Sequence, residues 1–196
     1  MVTPRSLRSF QKGCGLLCAF WSLGLGLPAS SAQEVLNTDA KRDRVLEISR
    51  DIAVKARYCA LITIDRSGRP AARTMYPLPP GPDFVVWMAT NPASEKVRQI
   101  SRDPHVALYY FDPDSQGYVS LIGRAELVND SKEKAKHWHE AWNQFYPDRE
   151  RALLIVVTPE KLEMVSVKHK IFGDRKTSAP PTIEFDRPPA KPKEGQ

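Results

Sequence analysis

Hydrophobic and polar positions change their spacing along the chain, and each change predicts an element of secondary structure. The first pattern predicts a helix that is capped by Thr38 or Asp39 and runs to about Arg57. Its apolar face recurs every three or four residues and consists of Val45, Ile48, Ile52 and Ala56. Charged residues occupy the opposite face, so this helix packs on a core and carries no recognisable chemistry.

Short apolar runs bounded by Gly, Pro and Asp follow this helix and predict strands. The predicted strands are 58–65, 71–76, 84–90, 105–112, 118–128, 153–158 and 163–168. Gly123, inside the fifth of them, indicates a bulge or a bend. Helical patterns at 94–102 and 130–145 lie between strands, and residues 33–38 are expected to be a loose lead-in.

This order of elements predicts a mainly β, α+β fold with an antiparallel sheet and peripheral helices. Five strands with one short helix inserted are followed by a second helix and two final strands, which favours a closed β-barrel with helices at its rim. A doubly wound nucleotide-binding fold is not expected, because the chain lacks alternating β-α-β units and a G-x-G-x-x-G motif after a strand.

The N-terminus has the pattern of an export signal. Residues 1–12 are basic, residues 14–27 are apolar but short for a membrane span, and small residues precede Ala32. We therefore expect a signal peptide over 1–32 and an exported protein, periplasmic or secreted, without membrane attachment after cleavage; an uncleaved anchor is the alternative. Residues 6–12 are similar to a twin-arginine motif, but Leu7 replaces the first Arg, so the export route stays open.

Composition narrows the function classes further. The 196 residues suffice for one domain, expected over 33–175, followed by a Pro-rich tail over 176–196 that is extended or mobile. The formal charge is +6, but basic runs with interleaved aromatic residues are missing, which argues against nucleic acid as a partner. After signal removal only Cys59 remains, as an expected buried thiol, and no Cys/His spacing predicts a metal site.

The turn into the helix at 94–102 carries the candidate chemistry. Thr90, Ser94 and Lys96 bring two hydroxyls and a cation to a helix N-terminus, where unpaired N–H groups and the helix dipole favour an anion. A capping serine and a solvated lysine would explain two of these residues equally well. Arg73, in the middle of a strand, becomes part of an anion site if its face points toward Ser94 and Lys96.

Five segments in order resemble the pyridoxamine 5′-phosphate oxidase-like split-barrel family, in particular its general stress protein 26-type branch. They span roughly residues 45–170 and read GRP…RTM, VWMAT, S-x-K, DP-x-V and GRAE, starting at Gly68, Val86, Ser94, Asp103 and Gly123. The resemblance implies a split β-barrel homodimer that binds flavin mononucleotide (FMN) at the subunit interface.

The resemblance also implies a role for each matching residue. Arg73, Ser94 and Lys96 would hold the phosphate, and Thr90 would contact the ribityl chain or phosphate. Thr74, Met75 and Tyr76 would lie along the flavin ring through their backbone, and Ser120 would reach the ring from the partner subunit. An Arg fork, a Lys point charge and a helix N-terminus all suit a phosphate dianion.

The activity is less constrained than the cofactor. The C-terminal arginine-and-histidine motif of the true oxidase has no match in the segment from Ser166 to Asp174, which argues against vitamin B6 oxidation. We expect a flavin-dependent oxidoreductase of unknown substrate, with no catalytic residue identified beyond the loose candidates His105 and His169. The alternatives are a non-catalytic protein that binds flavin, heme or another planar ligand, a stress-related protein, a deazaflavin-dependent reductase and a cofactor-free dimer.

Overall fold

The computed structural model describes residues 30–186, with side chains from Thr38 onward. Its α-helices are α1 (Ser30–Ala56), α2 (Glu95–Arg102) and α3 (Ser131–His137). Its strands are β1 (Cys59–Ile64), β2 (Pro70–Met75), β3 (Val86–Thr90), β4 (His105–Asp112), β5 (Gly117–Val128), β6 (Leu153–Ser166) and β7 (Thr182–Glu184). The bounds of β1, β2, β4 and β5 agree with the prediction to within one residue at each end. No helix of the described residues is long and apolar enough to cross a bilayer.

The strands form a single antiparallel sheet in the order β2-β1-β4-β5-β6-β3, with β7 also paired to β6. The fold is mainly β with peripheral helices, as predicted. The expected closure is wrong: within the described residues β2 and β3 each pair with one strand only, so the barrel is split between them. One face of the sheet and α1 share the core, which includes Ile52, Leu61, Leu108, Leu121 and Leu162.

Helix α1 begins earlier than predicted. It starts at Ser30, so Thr38 lies inside the helix and the expected loose lead-in is helical. Residues 30–37 contain no Gly or Pro that would end a helix, which explains how the helix extends through them. Residues 1–29 lie outside the described part of the chain, and the signal peptide stays a prediction.

The helix predicted over 130–145 is interrupted. Helix α3 ends at His137, Trp138 and His139 are extended, and a 3-10 helix follows at Glu140–Gln144. The His139 Nδ1 atom accepts a hydrogen bond from the backbone N–H of Ala141 and caps this second helix. Trp138 still meets Trp142 edge to face, with ring centroids 5.5 Å apart, so the aromatic cluster forms without a continuous helix.

The last two predicted strands are one strand. Pro159 reads as a strand breaker, but β6 runs through it because Pro159 lies opposite Gly123, where the β5–β6 register shifts. A bulge leaves one residue out of the ladder, and a proline without an N–H is tolerated there. The predicted tail also joins the sheet, since Ile183 of β7 is buried and Phe185 packs on Phe84. Residues 187–196 lie outside the described part of the chain.

Gly123 is the position where this bulge is least tolerant of a side chain. A Cβ atom there would collide with the Thr158 carbonyl and the Pro159 backbone, neither of which can move without breaking the ladder. We expect Gly123→Ala to lower the free energy of unfolding by about 2 kcal/mol and Tm by about 4–8 °C. Thermal unfolding followed by circular dichroism measures this change.

Gly68→Asn is the matched control. Gly68 has φ +76°, which Asn tolerates, and nothing lies within 4 Å of its Cβ position. A Tm for Gly123→Ala equal to that of Gly68→Asn would contradict the bulge packing.

Candidate functional site

The hydroxyls of Thr90 and Ser94 meet at the N-terminus of α2. Ser94 occupies the cap position, but its side chain makes no capping hydrogen bond to the helix. Its Oγ lies 3.2 Å from Oγ1 of Thr90, the last residue of β3, which is fully buried. The Ser94 hydroxyl therefore does not cap the helix.

Lys96 completes this cluster from the first turn of α2. Its Nζ donates to Thr90 Oγ1 at 3.3 Å, and its side chain is half-buried. Burial lowers the pKa of Lys96, and the positive charge of Arg73 lowers it further. Lys96 is thus not a freely solvated surface lysine.

Arg73 points from β2 toward the same place. Its Nη1 donates to Thr63 Oγ1 at 2.6 Å and to the Leu61 carbonyl at 3.3 Å, and its Nη2 donates to Gln99 Oε1 at 2.8 Å. All of these acceptors are neutral. Burial lowers the pKa of Arg73, while the exposed carboxylate of Glu95 opposes that effect.

The two cations form a positive site without a counter-charge in contact. Neither Arg73 nor Lys96 makes an ion pair with any residue in the described range 38–186. Partial burial makes each charge costly, and their proximity adds repulsion. A dianion between them would offset both terms, and α2 presents its positive N-terminal end beside them. We call Arg73, Thr90, Ser94 and Lys96 the anion seat.

Thr63 and Gln99 support the seat, and sequence reasoning missed both. They are 0% and 3% exposed, and the Thr63 hydroxyl donates to the Gln99 Oε1 atom that also receives Arg73. The Gln99 Nε2 is buried without a hydrogen-bond partner. The sequence contained a signal for Gln99: it is a polar residue one helical turn after Lys96 and next to the inward-facing Ile100, which places it on the buried side of α2.

Thr74 and Met75 are the last residues of the edge strand β2, and Tyr76 follows it directly. Met75 is buried in the core, so only its backbone is available there, whereas Thr74 is exposed. The Tyr76 carbonyl accepts a hydrogen bond from Trp142 Nε1 at 2.9 Å. These residues and Ala89 of β3 border a hollow of about 200 Å³, which therefore lies at the split between the two edge strands.

Ser120 lies apart from the seat within the same chain. It sits on β5 opposite Tyr109 and Glu163, on the outer face of the sheet, away from the core. The structure therefore brings together Arg73, Thr90, Ser94 and Lys96, and leaves Ser120 on the outer face of the sheet.

The histidine and cysteine candidates also lie outside the seat. His105 is exposed, with Nδ1 2.7 Å from Asp103 Oδ1 and Nε2 2.8 Å from Arg124 Nη1. His169 Nδ1 lies 2.8 Å from Ser166 Oγ, near the turn that follows β6. Cys59 is buried as predicted, and burial raises the pKa of its thiol to about 12, which makes it an inert thiol.

The family model described as pyridoxamine 5′-phosphate oxidase matches residues 47–166. The chain belongs to this family. The match begins within α1, ends with β6, and includes every residue of the anion seat. No functionally curated protein matches the sequence.

Solved structures agree on the fold at low sequence identity. General stress protein 26 from Bacillus anthracis is 22% identical, with 71% of this chain and 97% of that chain covered and a TM-score of 0.56. An FMN-binding protein related to pyridoxamine 5′-phosphate oxidase, from Nostoc punctiforme, is 16% identical, with 84% and 100% covered and a TM-score of 0.51. A heme-binding protein from Mycobacterium smegmatis is 20% identical, with 60% and 52% covered and a TM-score of 0.50.

Gln99→Glu tests whether the charge of the seat is uncompensated. The new carboxylate would lie where the Gln99 amide now meets Arg73, and would neutralise one cation from inside the protein. Inorganic phosphate is expected to raise the Tm of the wild type, since a ligand that binds only the folded state stabilises it, and to have little effect on the variant.

The matched control is Gln144→Glu, which makes the same charge change at an exposed position on the 3-10 helix. Thermal unfolding with phosphate and with chloride at equal ionic strength gives the comparison. The charge assignment fails if phosphate stabilises Gln99→Glu as much as it stabilises Gln144→Glu.

Proposed function

We propose that this protein binds FMN, with the phosphate in the anion seat and the flavin ring along the free edge of β2 at Thr74–Tyr76. The observation that supports this most directly is the pair of half-buried cations, Arg73 and Lys96, whose hydrogen-bond partners are all neutral. A phosphate dianion satisfies both cations, the two hydroxyls of the seat and the N-terminus of α2.

The edge of β2 suits the ring part of such a cofactor. An edge strand presents N–H and C=O groups that no neighbouring strand occupies, and β2 pairs only with β1 within the described residues. Arg73 and Thr74 are consecutive, so a ligand held by its phosphate at Arg73 extends directly to this edge. Backbone groups in this position hold the heteroatoms of a ring and tune its electronics without a charged side chain.

Redox chemistry is the function that this arrangement supports best. A bound flavin supplies electron transfer, and the residues of the protein bind it, orient it and limit the access of water. We propose an FMN-dependent oxidoreductase.

A homodimer is part of the proposal. The outer face of β4 and β5 exposes Tyr109 and Phe111, and Tyr109 stacks on Tyr118 with ring centroids 5.4 Å apart. Aromatic residues at such exposed positions are typical of the buried centre of an interface. Ser120 shares this face, so in the dimer it would approach the cofactor of the other subunit. Export through the N-terminal segment also stays a prediction.

Removal of either cation is expected to weaken FMN binding. Lys96→Ala and Arg73→Ala should each raise the Kd for FMN roughly 10- to 100-fold, because each removes a charge-assisted hydrogen bond to phosphate. Flavin absorbance of the purified protein, followed by titration of apoprotein with FMN, measures this.

Arg98→Ala is the control, since Arg98 is an exposed cation on the same helix that donates to the Ala93 carbonyl. Parallel titrations with heme and with a deazaflavin test the other cofactors. Wild-type protein that neither carries nor takes up FMN would overturn the proposed function.

A charge at the outer face should separate the subunits. Phe111→Asp places a carboxylate within the proposed interface, and we expect the mass from light scattering to fall from dimer to monomer, with weaker FMN binding as a consequence. Phe172→Asp is the matched control, because Phe172 is equally exposed (58% against 56%) but lies after β6. Dimers of unchanged stability in Phe111→Asp would exclude this face as the interface.

A further inference from the structure

The hollow at the split is lined by residues that do not belong to the anion seat. It measures about 200 Å³, less than the 300 Å³ or more of a typical ligand pocket, so it fits a ring rather than a whole cofactor. Five of its eight lining residues are aromatic, and none is charged. The aromatic residues are Tyr58, Tyr76, Trp142, Phe145 and Tyr146.

Two of the aromatic walls are fixed to the edge strands. Trp142 is 1% exposed, and its Nε1 donates to the Tyr76 carbonyl at 2.9 Å. The Tyr146 hydroxyl donates to the Ala89 carbonyl at 3.3 Å. Because these bonds reach from the segment after α3 to the residue that follows β2 and to β3, the walls hold their positions before any ligand enters, which lowers the entropic cost of binding.

The mouth of the hollow exposes apolar rings to solvent. Phe145 is 61% exposed and Tyr58 is 49% exposed, and Tyr58 also lies against Tyr76 with ring centroids 5.3 Å apart. A flat ligand between these side chains would bury their exposed faces and gain the stacking geometry that aromatic pairs prefer.

Charge selects among the ligands that could enter. The lining has no carboxylate that would attract a cation. A cation would meet Arg57, whose guanidinium already lies 5.2 Å from the Tyr76 ring centroid and 5.8 Å from that of Tyr58. A positive charge that is buried beside another cation and without a carboxylate partner is costly, so the hollow disfavours a positively charged ligand.

We propose that this hollow takes the planar ring of an aromatic substrate that carries no positive charge, and holds it beside the cofactor bound along Thr74–Tyr76. The proposal rests on the proposed function for the cofactor, whereas the ring pocket itself rests on the aromatic lining.

Calorimetric titration with 2-naphthol tests this on the full chain, with and without saturating FMN. We expect 2-naphthol to bind in both states. Decahydro-2-naphthol, which is similar in size but not planar, and 2-naphthylmethylammonium, which adds a positive charge to the same ring, should each bind at least roughly tenfold more weakly.

Phe145→Ala should raise the Kd for 2-naphthol by about three- to tenfold and leave the affinity for FMN unchanged. Its high exposure makes misfolding of this variant improbable on packing grounds. Phe172→Ala is the control, since Phe172 is similarly exposed and lines a separate groove beside α1. Tyr58→Phe should keep the wild-type Kd for 2-naphthol, whereas Tyr58→Ala should raise this Kd about as much as Phe145→Ala does.

Competition between FMN and 2-naphthol would overturn the proposal, because the hollow would then be the site of the flavin ring. Equal binding of the planar and saturated probes, or equal affinities in Phe145→Ala and Phe172→Ala, would also overturn it. Failure of FMN to bind is a separate result: it removes the proposed function, and the probe titrations still decide whether the hollow is a site for aromatic rings without a positive charge.

Discussion

The site depends on the approach of two like charges that the protein does not neutralise. Arg73 comes from β2 and Lys96 from α2, and neutral oxygen atoms hold both in place: a backbone carbonyl, two hydroxyls and an amide. Uncharged partners fix the direction of a guanidinium without cancelling its charge. The repulsion and the partial burial destabilise the folded protein when it has no ligand, and an anion in the seat would offset that cost.

The open sheet places this charge beside a ligand-sized gap. Residues of the two edge strands, β2 and β3, border the same hollow. On each strand, a residue of the seat is the direct neighbour of a residue that lines the hollow. Arg73 precedes Thr74, and Thr90 follows Ala89. A barrel closed by pairing of these two strands would fill the gap with backbone hydrogen bonds, so the split and the site are a single structural feature.

Sequence patterns predicted the strands well where turn residues bounded short apolar runs, as around β1, β2, β4 and β5. They failed where tertiary contacts override local propensity. Pro159 indicated a break, but Gly123 on the neighbouring strand provides a bulge that accommodates it. Trp138 and Trp142 fit one continuous helix by spacing, whereas the chain is extended at Trp138 and His139 and the rings still meet. Ile183 gave no periodic signal because β7 has only three residues.

The sequence by itself determined the family, the antiparallel β character and the residue types of the anion seat, because these follow from local spacing and from short motifs. Only the tertiary structure decided that Arg73 points toward Lys96, that Thr63 and Gln99 orient it, and that Ser120 faces outward. Strands distant in sequence become neighbours only when the sheet forms, and the direction of each side chain then depends on register, which a one-residue slip would reverse.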